Sequence, residues 1–173
     1  IMCDINKLPK NLKILHLDCE YRNLFNQSIN NLPQTLEEFV LCSDIFDQSL
    51  DNLPKSLKNL HITSSMFNQS LDNLPIILNS LFIFCDKYCH PVDDLPNNLV
   101  SLKLISNSFN HPVDKLPESL KILDICSLNF KQNLLHLPKD LESLHIHSFN
   151  PFECNIPETL KSFTLNHKQI KLN

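Results

Sequence analysis

Four residues in the C-terminal half of the chain combine a thiol, a carboxylate and two imidazoles at a regular spacing. Cys126 precedes His147 by 21 residues, and Asp124 precedes His145 by the same interval. In enzymes a cysteine can serve as a nucleophile, a histidine as its base and an aspartate as the group that orients the base. These residues define an enzymatic hypothesis, which requires a fold that places residues 21 positions apart side by side.

Two further groups contain side chains that bind metal ions in other proteins. Cys85, Cys89 and His90 are close in sequence, and His111 lies 21 residues after His90. Thiolates and imidazoles suit zinc, but this spacing matches no standard zinc signature. Carboxylates at 21-residue intervals could suggest calcium, and they are Asp51, Asp72, Asp93 and Asp114. The chain has no glycine, whereas repeats that bind calcium in this way are rich in it, so we interpret these aspartates as turn residues and predict neither a metal nor a cofactor.

The 21-residue interval runs through the whole chain. A Leu-Pro dipeptide, replaced by Ile-Pro in the last copy, recurs eight times, with its proline at Pro9, Pro33, Pro54, Pro75, Pro96, Pro117, Pro138 and Pro157. Five of the seven intervals between these prolines are 21 residues, and the first and last are 24 and 19. Self-similarity of this length indicates a solenoid, in which each repeat packs only against its neighbours.

Apolar residues within each repeat predict a short strand. Leucine follows each proline by three residues, and further apolar residues follow it by six and eight, as in Leu78, Leu81 and Ile83. The last two positions alternate with period two, so they share the buried face of a strand. A strand and two turns leave no room for a regular helix. We therefore predict about eight short parallel strands on a concave side, and extended or 3₁₀ segments on an irregular convex side.

Three other positions of the repeat carry specific expectations. An aromatic residue, 13 positions after the proline in most repeats, should form a buried spine that includes Phe46, Phe67 and Tyr88. A serine or cysteine, ten positions after the proline, should bond loop backbone groups inside the coil. Because glycine is absent, the column that contains Asp51 and Asp72 should supply positive backbone φ angles, which Asn and Asp tolerate best.

The strand segment resembles a leucine-rich repeat, and the full pattern resembles the FNIP repeat family. The resemblance covers essentially the whole chain and rests on Phe-Asn pairs followed by proline eight positions after the phenylalanine, at Phe25-Asn26, Phe67-Asn68, Phe109-Asn110 and Phe149-Asn150. Ile1 and Ile170 stand where the first and last aromatic residues would be. FNIP repeats are known from social amoebae and from giant viruses that infect amoebae, and an F-box often precedes them. The resemblance implies a single leucine-rich-repeat-like solenoid over residues 1–173, part of a longer chain, that recognises substrates for an F-box-type ubiquitin ligase.

Charge and cysteine content limit the classes of partner and the cellular compartment that the sequence suggests. The net charge is −4 and the pI is about 6.0, which gives no sign of nucleic-acid or membrane-surface binding. No apolar run approaches the roughly 18 residues that a membrane helix needs. The seven cysteines have no repeating spacing, so we expect reduced thiols in an intracellular protein. With the resemblance, this predicts the cytoplasm of an amoeba or of an amoebal host.

Residues that alternate with the buried strand positions should face outward on the concave side. Phe82, Phe84 and Ile105 form an apolar patch there, although the fold does not require apolar side chains at these positions. We predict a protein-binding site at Val40, His61, Phe82, Phe84, Lys103, Ile105, Asp124, His145 and His147. The main alternative is a structural or self-associating scaffold, for example a homodimer through uncapped ends. An enzyme that uses Cys126 and His147 is a distant alternative, because a flat sheet face supplies no pocket.

Overall fold

A computed structural model describes residues 4–17, 24–148 and 153–171 of the chain. Within these residues the fold is one sheet of nine strands in sequence order. A 3₁₀ helix, η1, spans Ile5–Lys7. The strands are β1 (Ile14–Leu17), β2 (Glu38–Cys42), β3 (Asn59–Thr63), β4 (Ser80–Phe84), β5 (Ser101–Ile105), β6 (Ile122–Cys126), β7 (Ser143–His147), β8 (Ser162–Leu165) and β9 (Lys168–Ile170). In the same ranges the segments between strands contain turns and no α-helix, as the repeat length predicts.

Strands β1 to β8 are parallel and stack in the register that the 21-residue interval predicts. Phe82 lies directly between His61 on β3 and Lys103 on β5. The longer first interval and the shorter last interval leave this register intact, because the extra or missing residues fall in the loops. The prediction of a leucine-rich-repeat-like solenoid with a 21-residue repeat is confirmed.

The ninth strand departs from the repeat. It runs antiparallel to β8 after a turn formed by Asn166 and His167, whose φ angles are 47° and 65°. The described sheet therefore has the eight parallel strands that the repeat predicts and one further antiparallel strand. Ile170 pairs with Phe163 and does not occupy a position in the aromatic spine. β9 also pairs with the outer edge of β8. The hypothesis of uncapped ends expects that edge to be exposed.

The core is a ribbon of buried apolar side chains inside the coils, and its largest members form the predicted aromatic spine. Successive rings have centroids 6.0–6.3 Å apart and planes within 23° of each other, in the order Phe25, Phe46, Phe67, Tyr88, Phe109 and Phe130. All of them are buried. Ile1 and Phe149, two further candidates for this column, lie outside the described residues. Each coil from Phe25 to Phe130 thus contributes one aromatic ring to a continuous stack, a geometry that such rings favour.

The serine or cysteine that follows each of the strands β2 to β7 bonds the coil from within, as the sequence predicts. Its side chain donates a hydrogen bond to the backbone carbonyl of the spine residue in the preceding coil, as Ser64 Oγ does to Phe46 O at 2.8 Å. The same bonds, 2.6–2.8 Å long, are made by Ser43, Ser106, Ser127 and Ser148. Cys85 Sγ donates to Phe67 O in the same way. These bonds satisfy carbonyls that the folded coil removes from water.

Asparagine side chains on the return path link each coil to the next. Asn110 Oδ1 accepts hydrogen bonds from the backbone N–H of Lys131 at 2.8 Å and from Gln132 Nε2 at 3.1 Å. Asn26 makes the equivalent pair of bonds to Asp47 and Gln48, each 3.0 Å long. The Phe-Asn-Gln pattern therefore has a structural cause, because the asparagine satisfies a backbone donor of the following coil.

The prediction of positive φ angles in the column of Asp51 is wrong. The non-glycine residues with positive φ in the described part of the chain are Asn166 and His167. The turn around Asp51 closes instead through a hydrogen bond from Leu53 N–H to Leu50 O at 3.3 Å. Asp51 accepts hydrogen bonds from Ser49 Oγ at 2.6 Å and from Asn73 Nδ2 at 2.9 Å, and these two bonds lower the pKa of its carboxyl group. This column therefore serves turn and inter-coil hydrogen bonding.

The structure forms no disulfide among the five described cysteines, which are Cys42, Cys85, Cys89, Cys126 and Cys154. Burial raises the pKa of the Cys85 and Cys154 thiols above the usual value. Cys3 and Cys19 lie outside the described residues. No helix in the described ranges is long and apolar enough to span a membrane.

Candidate protein-binding face

All nine residues of the predicted site lie on one face of the sheet, on strands β2 to β7, where they alternate with buried core residues. Neighbouring strands are about 4.8 Å apart, so side chains in the same column are close neighbours. The chemistry of this concave face changes along the solenoid. Its middle, on β4 and β5, is apolar, whereas its C-terminal end, on β6 and β7, carries acidic, thiol and imidazole groups.

The apolar patch at the middle of the face consists of Phe82, Phe84 and Ile105. The ring of Phe82 lies 4.2 Å from that of His61, centroid to centroid, and Lys103 Nζ lies 5.4 Å from the Phe82 centroid. The ammonium over the ring is a cation–π contact, and both neighbours hold Phe82 in place. Phe84 is 44% exposed, and it lies beside the half-buried Ile105 on β5. The patch therefore presents one fixed aromatic ring and one accessible ring.

A shallow pocket of about 80 Å³ opens beside Phe84. It is lined by Thr63, Ser64, Ser65, Phe84, Cys85 and Asp86. Ser64 and Cys85 already donate hydrogen bonds inside the coil. Small-molecule sites usually have volumes of about 300–1,000 Å³, so this pocket suits a single side chain of a partner better than a metabolite.

The C-terminal end of the face is organised around the carboxylate of Asp124. Its Oδ2 atom pairs with Lys103 Nζ at 3.0 Å. Its Oδ1 atom lies 3.4 Å from His145 Nδ1 and accepts a hydrogen bond from Cys126 Sγ at 3.8 Å. Asp124 is 9% exposed, and these partners offset the free energy that it costs to bury a carboxylate.

A third histidine joins this end of the face, and the repeat pattern does not reveal it. The ring of His167, in the β8–β9 turn, lies 4.6 Å from that of His147 and 6.2 Å from that of His145, centroid to centroid. Its position depends on the positive φ angles of the turn and not on the 21-residue interval. A short Asn-His segment after the last apolar strand residue was the available signal for such a turn.

The geometry does not support Cys126 as an activated nucleophile. An activated thiol needs a lowered pKa and a neighbouring base that takes its proton. Burial, and secondly the Asp124 carboxylate, raise the pKa of the Cys126 thiol. The thiol donates its described hydrogen bond to Asp124, and not to an imidazole. This part of the face is therefore better suited to binding than to acyl or other group transfer.

The second group of candidate ligands is not assembled into a metal site. His90 Nε2 lies 2.8 Å from Asn68 O, and His111 Nε2 contacts Cys89 O. Each imidazole thus bonds a backbone carbonyl of the preceding coil, as the side chain of Gln132 does elsewhere.

In the described part of the chain, one trio of potential metal ligands has its ligand atoms within 4.8 Å of one another. The trio consists of Asp124, Cys126 and His145.

The N-terminal part of the concave face is occupied by pairs within the chain. His16 Nε2 lies 2.6 Å from Glu38 Oε1, and His61 Nε2 lies 3.1 Å from Thr63 Oγ1. Just before β2, the hydrogen bonds of Lys58 and Lys13 lower the pKa of the Glu37 carboxyl to about 2. Exposed ion pairs of this kind contribute little to stability. Because the polar groups of this part bond one another, we place the centre of the candidate site on β4 and β5.

Sequence reasoning missed an exposed apolar pair in the turn that leads into β4. Ile76 is 70% exposed and Ile77 is 41% exposed. In other coils the position of Ile77 carries a hydroxyl that donates to backbone carbonyls of the preceding coil, as Ser56 Oγ does to Leu36 O at 2.6 Å. Hydroxyls with this function belong to Thr35, Ser56, Ser119 and Thr159. Ile77 interrupts this column, and Ile76 interrupts the polar residues that other repeats carry one position earlier, and these two departures were the signal available in the sequence.

Comparison with known proteins supports the architecture. No family model matches the chain, and no curated protein matches it. Among solved structures, the chain is similar to the giant-virus protein CroV588, whose crystal structure is described as a novel circular leucine-rich-repeat structure. The TM-score is 0.69 and the sequence identity is 27%. The match covers 95% of this chain and 28% of that protein.

The chain has a leucine-rich-repeat-like fold. Because the solenoid spans little more than a quarter of CroV588, the similarity concerns the repeat architecture and not the whole of that molecule. The finer resemblance to the FNIP family, on the Phe-Asn pairs and the Leu-Pro dipeptides, stays a prediction.

Proposed function

We propose that the leucine-rich-repeat-like solenoid recognises a protein partner through its concave face, with the apolar patch of Phe82, Phe84 and Ile105 at the centre of the contact. The observation that carries this proposal is the exposure of Phe84, 44% of whose surface remains accessible on a strand that has its own buried face. Folds of this class generally mediate protein–protein interaction, and solenoids use extended concave surfaces for binding.

The composition of the surroundings supports the same conclusion. Interfaces are typically built from aromatic anchors in a partly desolvated centre with polar groups around them. Here His61 and Lys103 flank Phe82, and the small pocket beside Phe84 adds hydroxyl and carboxylate groups. Burial of two phenylalanines and an isoleucine can contribute several kcal/mol at about 25 cal/mol per Å² of apolar area.

The resemblance to FNIP proteins suggests a finer role, which we include in the proposal. The partner would be a substrate that the solenoid presents to an F-box-type ubiquitin ligase in the cytoplasm of an amoeba or an amoebal host. Purification of the natural full-length protein from host cells should then recover ligase components together with the partner. A partner whose abundance does not change when the protein is removed would separate recognition from degradation and refute this role.

The recognition proposal predicts a specific effect of the double substitution Phe82→Ser and Phe84→Ser. The partner is first captured from host-cell lysate and identified by mass spectrometry, and the affinity of the purified pair is then measured. We expect the double variant to bind at least about tenfold more weakly, because a loss of about 1.4 kcal/mol suffices for that change. Its melting temperature should stay close to that of the unchanged protein, because neither side chain belongs to the buried core.

The double substitution Ile76→Ser and Ile77→Ser is the matched control. It removes an apolar and exposed pair from the same coil but outside the sheet face, so it should leave the affinity intact. Loss of binding in this control, with full binding by the concave variant, would place recognition at the turn before β4. Recovery of nothing except further copies of the chain itself would refute a heterologous partner and favour the scaffold.

A further inference from the structure

The C-terminal end of the concave face brings a sulfur, an oxygen and a nitrogen ligand together. Asp124 and Cys126 are two residues apart on β6 and so share one face of the strand. His145 is the register neighbour of Asp124 on β7. One ligand atom of each residue lies within 4.8 Å of the other two. The three side chains are partly buried and lie on regular strands, which fix ligand positions more closely than loops do.

Two of the three separations in the trio are close to the ligand spacing of a tetrahedral ion. Asp124 Oδ1 lies 3.4 Å from His145 Nδ1 and 3.8 Å from Cys126 Sγ. Tetrahedral zinc with bonds of about 2.0–2.3 Å separates its ligand atoms by roughly 3.3–3.7 Å. These two separations are therefore close to those of a zinc coordination shell, and the separation between the Cys126 and His145 ligand atoms is at most 4.8 Å.

Two surrounding contacts direct these atoms toward one another. The described polar contact of His145 is the one from Nδ1 toward Asp124. Lys103 pairs with Oδ2 of Asp124 at 3.0 Å. This pair fixes the rotation of the carboxylate and leaves Oδ1 directed at the thiol and the imidazole, which is how outer partners orient metal ligands.

We propose that Asp124, Cys126 and His145 form a binding site for a divalent transition-metal ion of the zinc class. A thiolate with an imidazole suits zinc, whereas calcium and magnesium prefer all-oxygen sites. On binding, the Cys126 thiol would release its proton to solvent, and the charge of the cation would be balanced by the thiolate and the carboxylate. Because the ligands come from β6 and β7, the ion links two coils. Three protein ligands leave a fourth position for water or for His147, the register neighbour of Cys126.

The proposal is tested by titrating the reduced protein with Co²⁺, which reports tetrahedral thiolate ligation through its absorption spectrum, and then displacing Co²⁺ with Zn²⁺. We expect one equivalent of Co²⁺ to produce a sulfur-to-cobalt charge-transfer band together with tetrahedral visible bands. Cys126→Ser should abolish the charge-transfer band. His145→Gln and Asp124→Asn should each weaken binding by about tenfold or more, because even outer-shell losses reach that size.

The matched control is Cys42→Ser. Cys42 ends β2 as Cys126 ends β6, at the equivalent position of the repeat, but its register neighbour is Thr63. This variant and Cys89→Ser should bind Co²⁺ as the unchanged protein does. Zinc X-ray absorption should show one sulfur per zinc at about 2.3 Å. The proposal would be overturned by the absence of any cobalt–thiolate band or by two or more sulfurs per zinc. It would also be overturned if binding survived Cys126→Ser and disappeared in Cys89→Ser. Circular dichroism establishes that each variant is folded. If Cys126→Ser does not fold, the affinity of His145→Gln for Co²⁺ tests the site instead.

Discussion

The aromatic spine and the concave face are both columns of side chains 21 residues apart, yet they differ in how much the repeat varies. Every described spine position from Phe25 to Phe130 carries a phenylalanine or a tyrosine, and all are buried in one stack. The column through Phe82 on the concave face instead reads His16, Val40, His61, Phe82, Lys103, Asp124, His145 and Thr164. The same parallel register aligns the side chains of both columns.

The difference shows which positions the fold constrains. A spine ring packs against the rings of the coils before and after it, so a change of size is felt by three coils. A concave side chain contacts its column neighbours but has solvent on its outer side, and the coil closes whether it is valine, lysine or histidine. The fold therefore does not require Phe82 and Phe84 to be apolar, and this is why we propose that they serve recognition.

The largest effect should follow from truncation of the spine. Phe67 is 0% exposed and stacks on Phe46 and Tyr88 at 6.0 Å and 6.3 Å. We expect Phe67→Ala to lower the free energy of unfolding by about 3–5 kcal/mol, as large core truncations do. Denaturant unfolding followed by circular dichroism measures this change. A loss below about 1 kcal/mol, typical of surface substitutions, would show that the spine is not a packed column.

A smaller effect should follow from removal of a hydroxyl inside the coil. Ser127 Oγ donates to Phe109 O at 2.7 Å, and Ser127 is 1% exposed. Ser127→Ala leaves that carbonyl without this donor, and we expect a loss of about 1–3 kcal/mol. Ser127→Cys should cost less, because Cys85 makes the equivalent bond in its own coil. Equal stability of the alanine variant and the unchanged protein would mean that the serine column does not contribute to coil closure.

The repeat interval was sufficient to predict the parallel strands, their register and the buried columns. A stack of parallel strands turns a sequence period into a spatial neighbour, so Leu81 and Ile83 could be assigned to the core from spacing alone. The interval could not predict β9, because the hairpin depends on the conformation of Asn166 and His167, where the repeat has ended. The prediction of a positive φ at Asp51 followed from the absence of glycine, and it was wrong because hydrogen bonds that do not need a positive φ stabilise this turn.

For the candidate site, spacing predicted which residues are neighbours but not which atoms face one another. Cys126 and His147 are register partners as the interval requires, but the thiol donates to Asp124 on its own strand. This choice depends on side-chain rotation and on the Lys103 ion pair, neither of which a period encodes. The exposed Ile76 was likewise visible only as a departure from the polar residues that other repeats carry at its position.

The fold is expected to require the aromatic spine and not the phenylalanines of the concave face. One matched measurement tests this claim, namely the free energies of unfolding of Phe109→Ser and Phe84→Ser under the same conditions. Phe109 is 0% exposed, whereas Phe84 is 44% exposed. We predict a loss of at least about 3 kcal/mol for Phe109→Ser and a change within about 0.5 kcal/mol for Phe84→Ser. Equal losses in the two variants would contradict the claim, because Phe84 would then be part of the core that holds the coils together.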